Sequence, residues 1–206
     1  PRVLVGAQRQ IGTRIHRTAL ANLSSRVNIL FVNYGDFTSN SLNHIGAFAN
    51  RLTLQGHACV VAVPENPETL SVVPEPLFTA ATFERMLRDE PVFPDRRGAD
   101  VVHAWTPREN VREFTLAYLR RHTAAALLVH LEDNEVHLME SYAREPLATL
   151  RLRSDEELAS RLSPRLSHPV RFRNFLRVAH GVTCITDRLR ELVPAGKPVH
   201  RLLPGI

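Results

Sequence analysis

The stretch of sequence that most constrains the fold is Asn28–Pro64. It opens with a short apolar run, Asn28–Asn33, whose β-branched and aromatic residues predict a buried strand. Ser41–Gln55 shows helical spacing of its apolar residues and begins with a serine, a residue type favoured at helix N-caps. Gly56 suits the left-handed position after a helix, and Ala58–Val63 is a second predicted strand. This order predicts a parallel βαβ unit whose first loop opens at the sheet edge where α/β proteins bind ligands.

The same alternation continues along the rest of the chain. Further strands are predicted at Asp100–Ala104, Ala125–Leu131, Val182–Thr186 and Val199–Leu203. Helices are predicted at Thr82–Asp89, Pro107–His122, Asp133–Arg144, Arg151–Ser163, Pro169–Ala179 and Asp187–Val193. A loop is predicted around the prolines Pro64, Pro67, Pro74 and Pro76. Six strands alternating with helices predict a Rossmann-like three-layer α/β/α sandwich with a mainly parallel sheet over residues 27–206. Residues 1–26 show no clean period and are interpreted as an N-terminal extension.

Bulk composition excludes several classes of protein. With 206 residues, 44% of them hydrophobic, the chain has the composition of a globular domain rather than of a disordered segment. The sequence has no apolar run long enough to span a bilayer, and its early arginines argue against a secretory signal. We therefore expect a cytoplasmic location. In that compartment Cys59 and Cys184, which lie in apolar runs, are expected to be buried free thiols.

The chain is basic, with a formal net charge of +5 and a pI of about 10.0. Nearly all of its positive side chains are arginines, with Lys197 as the single lysine. One interpretation is a bias in base composition combined with solvated helix faces. The other is an anionic partner such as a phosphate, a nucleotide or acidic lipid headgroups. Nucleic acid is not expected, because aromatic residues are only 6% of the chain and do not alternate with basic ones as single-strand binding requires.

The loop Asn33–Asn40, after the first strand, is one candidate binding site. Gly35 permits a sharp turn and the close approach of a ligand. The helix behind it directs unpaired N–H groups and partial positive charge into the same space, which favours a phosphate or a sugar hydroxyl. Asp36, Asn40 and, on that helix, His44 are further candidates. A plain strand-to-helix connection is the alternative. Neither GxGxxG nor GxxxxGK[ST] occurs, which argues against a dinucleotide enzyme or a P-loop NTPase.

Two histidines close predicted strands at the same edge of the sheet. His103 follows one apolar run and His130 the next. Glu132 and Asp133 come directly after His130, at the start of a predicted helix, where acidic side chains interact favourably with the helix dipole. A structural role for His103 and helix capping by Asp133 are the alternatives to ligand binding.

Residue spacing argues against other kinds of catalytic site. His130, Glu132, Glu135 and His137 match no common zinc template, so no metal is expected. The His-x-Glu of this region lacks the downstream Pro-Cys-x-x-Cys of zinc deaminases. Gly-x-Ser-x-Gly is also missing, which argues against a serine hydrolase of the α/β type.

In chain order, these motifs resemble the amino-terminal half of a retaining glycosyltransferase with the GT-B fold, of the large family called group 1 or family 4. The motifs are the Gly35 loop, the Gly56-His57 turn, Ala99-Asp100-Val101-Val102-His103, the strand ending at His130, Gly181-Val182-Thr183-Cys184-Ile185-Thr186 and Pro204-Gly205-Ile206. The resemblance covers residues 27–206. Each motif is short, so the resemblance depends on their shared order.

The resemblance implies transfer of a sugar, typically a hexose, from a nucleotide diphosphate sugar to an acceptor with retention at the anomeric carbon. It implies no cofactor and no metal. The amino-terminal domain of this family mainly holds the acceptor, and its first glycine loop lies near the donor diphosphate, which corresponds to Gly35 here. His130 corresponds to the histidine beside the transferred sugar and is the catalytic candidate. The substrate-binding candidates are Gly35, Asp36, Asn40, His44, His103, Glu132 and Asp133.

The chain also departs from the family pattern. Paired glycines after the first strand are reduced to Gly35, and Leu131 rather than an acidic residue follows His130. The family's second domain, which carries the nucleotide site, would begin where this sequence stops, so we expect a fragment without turnover of its own. The alternative is a non-catalytic, basic Rossmann-like binding or interaction domain.

Two predicted helices carry a cluster of arginines that suits an anionic membrane surface. The arginines are Arg151, Arg153, Arg161, Arg165, Arg171, Arg173 and Arg177. Peripheral membrane association is one interpretation of this cluster, and solvated helix faces are the other.

Overall fold

Seven parallel strands form one sheet in the computed structural model, which describes residues 26–88 and 90–203. The strands are β1 (Asn28–Val32), β2 (Ala58–Val63), β3 (Thr79–Thr82), β4 (Val101–Trp105), β5 (Ala126–Leu131), β6 (Gly181–Cys184) and β7 (Val199–Arg201). Their order across the sheet is β3-β2-β1-β4-β5-β6-β7. The predicted N-terminal extension, apart from Arg26, lies outside the described residues, and so does the motif Pro204-Gly205-Ile206.

Helices connect these strands. They are α1 (Ser41–Leu54), α2 (Phe83–Leu87), α3 (Glu109–Arg121), α4 (Glu135–Ala143), α5 (Leu147–Leu150), α6 (Asp155–Arg161) and α7 (Arg171–Val178). Two 3₁₀ helices, Pro67–Val72 and Asp187–Leu192, complete the connections.

The helices lie on both faces of the sheet. On one face, Ile45 of α1 belongs to an apolar cluster with Phe31 and Val61 of the central strands. On the other face, Phe114 of α3 and Phe175 of α7 belong to a larger cluster with apolar residues of β1, β4 and β5. The prediction of a Rossmann-like three-layer α/β/α sandwich is therefore confirmed, with a sheet that is parallel throughout the described residues.

The direction in which strands are added reverses between β1 and β4. β2 and β3 lie on one side of β1, whereas β4 and all later strands lie on the other. Ile29 aligns with Val101 and Phe31 with His103 across this junction. The carboxyl edge of the sheet at such a reversal is the usual ligand position in these folds.

The prediction of six strands is wrong, because the structure contains the additional strand β3. Its sequence, Thr-Ala-Ala-Thr, has too little apolar surface to be recognised as a strand. β3 lies at the edge of the sheet, where one partner, β2, is enough to align it through pairs such as Val61 with Ala80. The proline-rich segment before it contains the 3₁₀ helix Pro67–Val72, so this region is more ordered than a plain loop.

The predicted helix Arg151–Ser163 is shorter than expected. α6 begins at Asp155, and Ser154 caps it through a capping box in which each residue of the pair bonds the other's backbone amide. The Ser154 amide donates to Glu157 Oε2 at 2.9 Å, and the Glu157 amide donates to Ser154 Oγ at 3.3 Å. These bonds satisfy N–H groups that the first helical turn leaves free, which fixes the helix start.

Two other predicted helix starts also differ from the structure. Ser41 is the first residue of α1 rather than its N-cap, and the residue before it, Asn40, makes no side-chain capping bond. Asn134, not Asp133, caps α4 by accepting the His137 amide at 3.1 Å. The side chains of Ser41 and Asp133 are thereby available for contacts with other elements.

Both cysteines, Cys59 and Cys184, are buried free thiols, as predicted. Burial raises the pKa of each thiol above its ordinary value. None of the helices in the described part of the chain combines the length and the apolar composition that a bilayer-spanning segment requires.

Candidate functional site

The loop after β1 is held in shape by one buried side chain. Asn33 Nδ2 lies 2.9 Å from the Gly35 carbonyl, 3.2 Å from the Asp36 carbonyl and 2.8 Å from Ser39 Oγ. Gly35 is buried, and a Cβ added to it would lie 3.2 Å from the Ser39 Cβ. Gly35 is therefore needed for tight packing within the loop, not for a left-handed backbone.

Two candidates in this loop point to different roles. Asp36 Oδ1 accepts the Thr38 amide at 2.9 Å and the Thr38 hydroxyl at 2.6 Å, and these bonds hold the pKa of Asp36 below its usual value. Its carboxylate thus stabilises its own turn. Asn40 is exposed at the start of α1 and makes no capping bond, so its amide is available to a ligand.

A carboxylate from the loop after β5 faces the start of α1. Ser41 Oγ donates a short hydrogen bond to Glu132 Oε2, and His44 Nε2 lies 3.7 Å from Glu132 Oε1. The amides of the first turn bond nearby carbonyls, as Leu42 does with Ser39 at 3.0 Å. The sequence predicted a phosphate or a sugar hydroxyl here. Because a negative group already faces the positive end of the helix, this end suits the neutral hydroxyl better than the phosphate.

His103 and His130 contact the same hydroxyl. The prediction that they close their strands is wrong, because His103 is the central residue of β4 and Leu131 follows His130 in β5. Thr183 Oγ1 lies 3.0 Å from His103 Nε2 and 2.8 Å from His130 Nδ1. Burial lowers the pKa of His103 to about 4. Burial, together with the neighbouring His103 and His44, lowers the pKa of His130 to about 3. Both imidazoles are therefore neutral at physiological pH, when each has one N–H donor and one nitrogen acceptor.

An aromatic recess adjoins these histidines. The Trp105 indole packs against the His130 ring with centroids 4.1 Å apart, and Phe48 of α1 lies 6.0 Å from the indole. Trp105 Nε1 is buried without a hydrogen-bond partner in the described part of the chain. The recess is lined by His44, Phe48, Trp105, His130, Ile185, Leu202 and Leu203. In this structure the recess is closed and has no room for a water molecule, so only its more exposed rim, which includes His44, is open to a ligand.

A buried arginine beside this edge was not among the residues predicted from the sequence. The Arg108 guanidinium stacks on the Tyr34 ring at 3.7 Å and donates to Asp133 Oδ2 at 2.9 Å. Arg108 is almost fully buried, and its Nε lies 3.9 Å from Glu135 Oε1. These contacts lock the loops after β1, β4 and β5 together. The position of Arg108 three residues after the end of β4 was the available signal, but its partners depend on the fold.

Glu135 is the most deeply buried carboxyl at this edge. Burial raises its pKa to about 7, which the positive charge of Arg108 only partly offsets at this long separation. Ser167 Oγ lies 2.7 Å from Glu135 Oε2 and 3.1 Å from the Pro107 carbonyl. Since the carbonyl can only accept, a Ser167 proton donated to it requires Glu135 to supply the proton to Ser167. When Glu135 is ionised, Ser167 can instead donate to its carboxylate, and with a pKa of about 7 both states of Glu135 are populated near neutral pH.

The structure brings several of the predicted residues together. His44 and Glu132 contact each other, and His44 and His130 line the same recess. His103 joins them through Thr183. The remaining candidates, Gly35, Asp36, Asn40 and Asp133, belong to the adjoining loops at the carboxyl edge. Thr183, Trp105 and Arg108 are additional members that the sequence analysis did not assign.

Other regions offer less for a ligand. Within residues 26–88 and 90–203, no three His, Cys, Asp or Glu side chains lie where they could jointly bind a metal ion. A cavity of about 490 Å³ lies at the opposite edge of the sheet and is bordered by Arg88 and Arg97. These two arginines are paired, Arg88 with Glu84 and Arg97 with Asp95 at 3.0 Å. That cavity therefore has little free positive charge from these side chains.

The basic helices are also partly neutralised by acidic residues. Arg153 lies 2.9 Å from Glu145, and Arg165 lies 2.8 Å from Glu65. Arg161 and Arg171 likewise form ion pairs with carboxylates. Because four of the seven arginines in the predicted cluster are paired within the fold, that surface is less positive than the sequence alone indicates.

The sequence matches no protein-family model and no curated protein sequence. Similar solved structures include Arabidopsis thaliana UGT89C1 complexed with UDP-L-rhamnose, with 10% identity, a TM-score of 0.45, and coverage of 82% of this chain and 44% of that chain. Another is a UDP-glucosyltransferase from Polygonum tinctorium in complex with 3,4-dichloroaniline, with 16% identity, a TM-score of 0.48, and coverage of 89% and 53%. The alignments span about half the length of these two structures.

Proposed function

We propose that this chain is the acceptor-side half of a retaining glycosyltransferase, which takes a sugar, typically a hexose, from a nucleotide diphosphate sugar. The ordered motifs of residues 27–206, from the Gly35 loop to the strand beginning at Gly181, support the family. The side chains at the carboxyl edge of the sheet support the chemistry. The proposal extends to a group 1, family 4 type enzyme that needs no metal and no other cofactor.

The observation that carries the proposal is the contact between His44 and Glu132 at the rim of the recess that His44 and His130 line. Each sugar hydroxyl is both a donor and an acceptor. The Glu132 carboxylate accepts hydrogen bonds, and a neutral imidazole both donates and accepts them. This combination suits a sugar better than it suits an anion or a purely apolar ligand.

The electrostatics of the recess also suit glycosyl transfer. In this reaction positive charge develops on the sugar ring, and fixed negative groups or dipoles nearby stabilise it. His130 stays neutral because burial keeps its pKa at about 3, so it does not repel that charge. Glu132, on the loop after the same strand, supplies a negative charge next to His44. His130 is accordingly the proposed catalytic residue, and Glu132 and His44 are proposed to bind sugar hydroxyls.

Binding of the nucleotide is assigned to a second domain. The start of α1 already faces Glu132, so the described part of the chain offers no free helix end there for a diphosphate. We therefore propose that the donor diphosphate is held mainly from outside this domain, at the carboxyl edge of the sheet. The isolated chain would then bind acceptor without turnover.

The test is a donor and acceptor screen on the protein joined to its second domain. Sugar transfer from uridine or guanosine diphosphate sugars is expected, and NMR of the product should show retention at the anomeric carbon. His130→Ala should reduce transfer by about 100-fold or more, as loss of a group that stabilises developing charge does. The matched variant His137→Ala, on the exposed face of α4, should retain it. Absence of transfer across the screen would favour the non-catalytic binding domain, and an unchanged rate in His130→Ala would remove His130 from the mechanism.

A further inference from the structure

A single hydroxyl connects the two buried histidines of the site. Thr183 Oγ1 lies 3.0 Å from His103 Nε2 and 2.8 Å from His130 Nδ1, and all three residues are buried. Both distances are those of good hydrogen bonds. Thr183 is therefore a bridge between β4 and β5 although it belongs to β6.

The register of the sheet fixes this arrangement. Thr183 aligns with His130 in the β5–β6 pair, and His130 aligns with Trp105 in the β4–β5 pair. Aligned residues of parallel strands direct their side chains to the same face, so the histidine rings and the hydroxyl share one surface. Threonine is branched at Cβ and has few rotamers, which holds the hydroxyl in place.

The bridge restricts the protonation pattern of both rings. A hydroxyl has one proton, so Thr183 can donate to only one of the two nitrogens and must accept from the other. A neutral imidazole carries its proton on one nitrogen only. If His103 donates to Thr183, then Thr183 donates to His130 Nδ1, and His130 carries its proton on Nε2. If the direction is reversed, His130 Nε2 is a bare acceptor. In both cases the tautomers of the two histidines are linked.

We propose that Thr183 is a positioning residue that fixes the ring orientation and the tautomer of His130. It thereby decides which hydrogen bond His130 offers at the recess. The effect on the tautomer is independent of any activity, whereas its effect on sugar transfer rests on the proposed function. His103 contributes to this role, because the presence or absence of a proton on its Nε2 determines whether Thr183 donates to His130 Nδ1 or accepts from it.

The direct test is ¹⁵N NMR of the histidine rings, with His130 assigned from the signals lost in His130→Ala. In the wild-type protein the two His130 nitrogens should show well-separated shifts, as one tautomer requires. Thr183→Val keeps the side-chain shape but removes the hydroxyl, so both shifts should move towards a common intermediate value as two tautomers interconvert. Thr183→Ser retains the hydroxyl and should resemble the wild type. Identical shifts in Thr183→Val and the wild type would overturn the proposal.

A matched control comes from another buried threonine. Thr115 of α3 is fully buried, and its hydroxyl has no hydrogen-bond partner among the described residues. Thr115→Val should leave the His130 shifts unchanged, which separates the bridge from a general effect of losing a buried hydroxyl. If Thr183→Val does not fold, His103→Phe removes the other end of the bridge and should also produce two His130 tautomers. A single, unchanged tautomer in His103→Phe would contradict the linkage.

An activity measurement separates this inference from the proposed function. In the complete enzyme, Thr183→Val should lower kcat/KM on the order of tenfold, the effect of losing one buried hydrogen bond. Thr183→Ser should restore most of it, and adding Thr183→Val to His130→Ala should lower it no further. If the tautomer responds but the wild type transfers no sugar, the proposed function fails and the positioning role stands. If transfer falls while the tautomer is unchanged, the positioning role fails.

Discussion

Substitution of Glu135 by glutamine should change how stability depends on pH. The pKa of Glu135 is raised from 4.5 to about 7, chiefly by burial. The folded protein therefore binds this proton more tightly than the unfolded chain. Its contribution to stability is complete below about pH 4.5 and is lost as the pH rises through about 7. The difference between the two pKa values corresponds to about 3 kcal/mol of unfolding free energy, since one pKa unit is worth about 1.4 kcal/mol.

Glutamine is the appropriate replacement because its amide resembles the protonated acid. Its Nε2 can donate to Ser167 Oγ, 2.7 Å from Glu135 Oε2 in the wild type, while Ser167 donates to the Pro107 carbonyl. The free energy of unfolding would be measured in urea for both proteins between pH 4 and pH 8. The variant should gain about 3 kcal/mol relative to the wild type over this range, because glutamine never ionises. Other titrating groups cancel in the difference.

The matched control is Glu157→Gln. The pKa of Glu157 is lowered by the Ser154 amide and then by Arg153, so its stabilising contribution is lost as the pH falls. Glu157→Gln should therefore lose stability relative to the wild type as the pH rises, the opposite slope. The free energy of unfolding of Glu135→Gln relative to the wild type should rise with pH. If this difference does not change between pH 4 and pH 8, or falls as it does for Glu157→Gln, the raised pKa of Glu135 is refuted.

Three other predictions concern the site and the core. His130 should stay neutral between pH 5 and pH 8 because burial holds its pKa at about 3, and a ¹⁵N NMR titration with an inflection in that range would contradict this. Phe114→Ala removes a buried ring stacked on Phe83 at 4.1 Å and should lower the unfolding free energy in urea by about 3–5 kcal/mol. A loss below about 1 kcal/mol would show that the cavity collapses. Gly98→Ala should destabilise by about 1–3 kcal/mol because the new Cβ overlaps the His122 ring. The double variant with His122→Ala should recover most of that loss, and wild-type stability of Gly98→Ala would mean that the ring moves aside freely.

The central strands could be predicted from sequence because their environment leaves a strong pattern. β1 and β2 are buried along their whole length, and only continuous apolar runs such as Asn28–Val32 satisfy that burial. β3 could not be predicted in the same way, since Thr79–Thr82 is an edge strand of small residues that depends on β2 for its conformation. Helix starts were predicted less well, because Ser41 and Asp133 bond to distant residues instead of capping their own helices.

The candidate site, like the fold, could be predicted from the sequence only in part. Residues that follow parallel strands must meet at one edge, so His130 and Glu132 could be assigned to it from sequence. The contacts of Glu135 could not, because they require the segment around Ser167 to cross the start of α3. That crossing is held by backbone bonds from Glu109 to Leu166 and from Asn110 to Pro164, each 3.0 Å long. The spacing of residues along the sequence does not indicate that this segment crosses the start of α3.

The central position of β1 affects how the chain folds during synthesis. The Asn28 amide pairs with Asp100, 72 residues later, whereas the Val27 amide reaches His57 only 30 residues away. At roughly 5–20 residues per second on the ribosome, one side of β1 stays open for several seconds after β2 has emerged. Its sequence, Asn-Ile-Leu-Phe-Val, has no charge that would discourage pairing with another chain. The edge of β1 that β4 covers in the folded protein is therefore open to pairing with another chain until β4 leaves the ribosome.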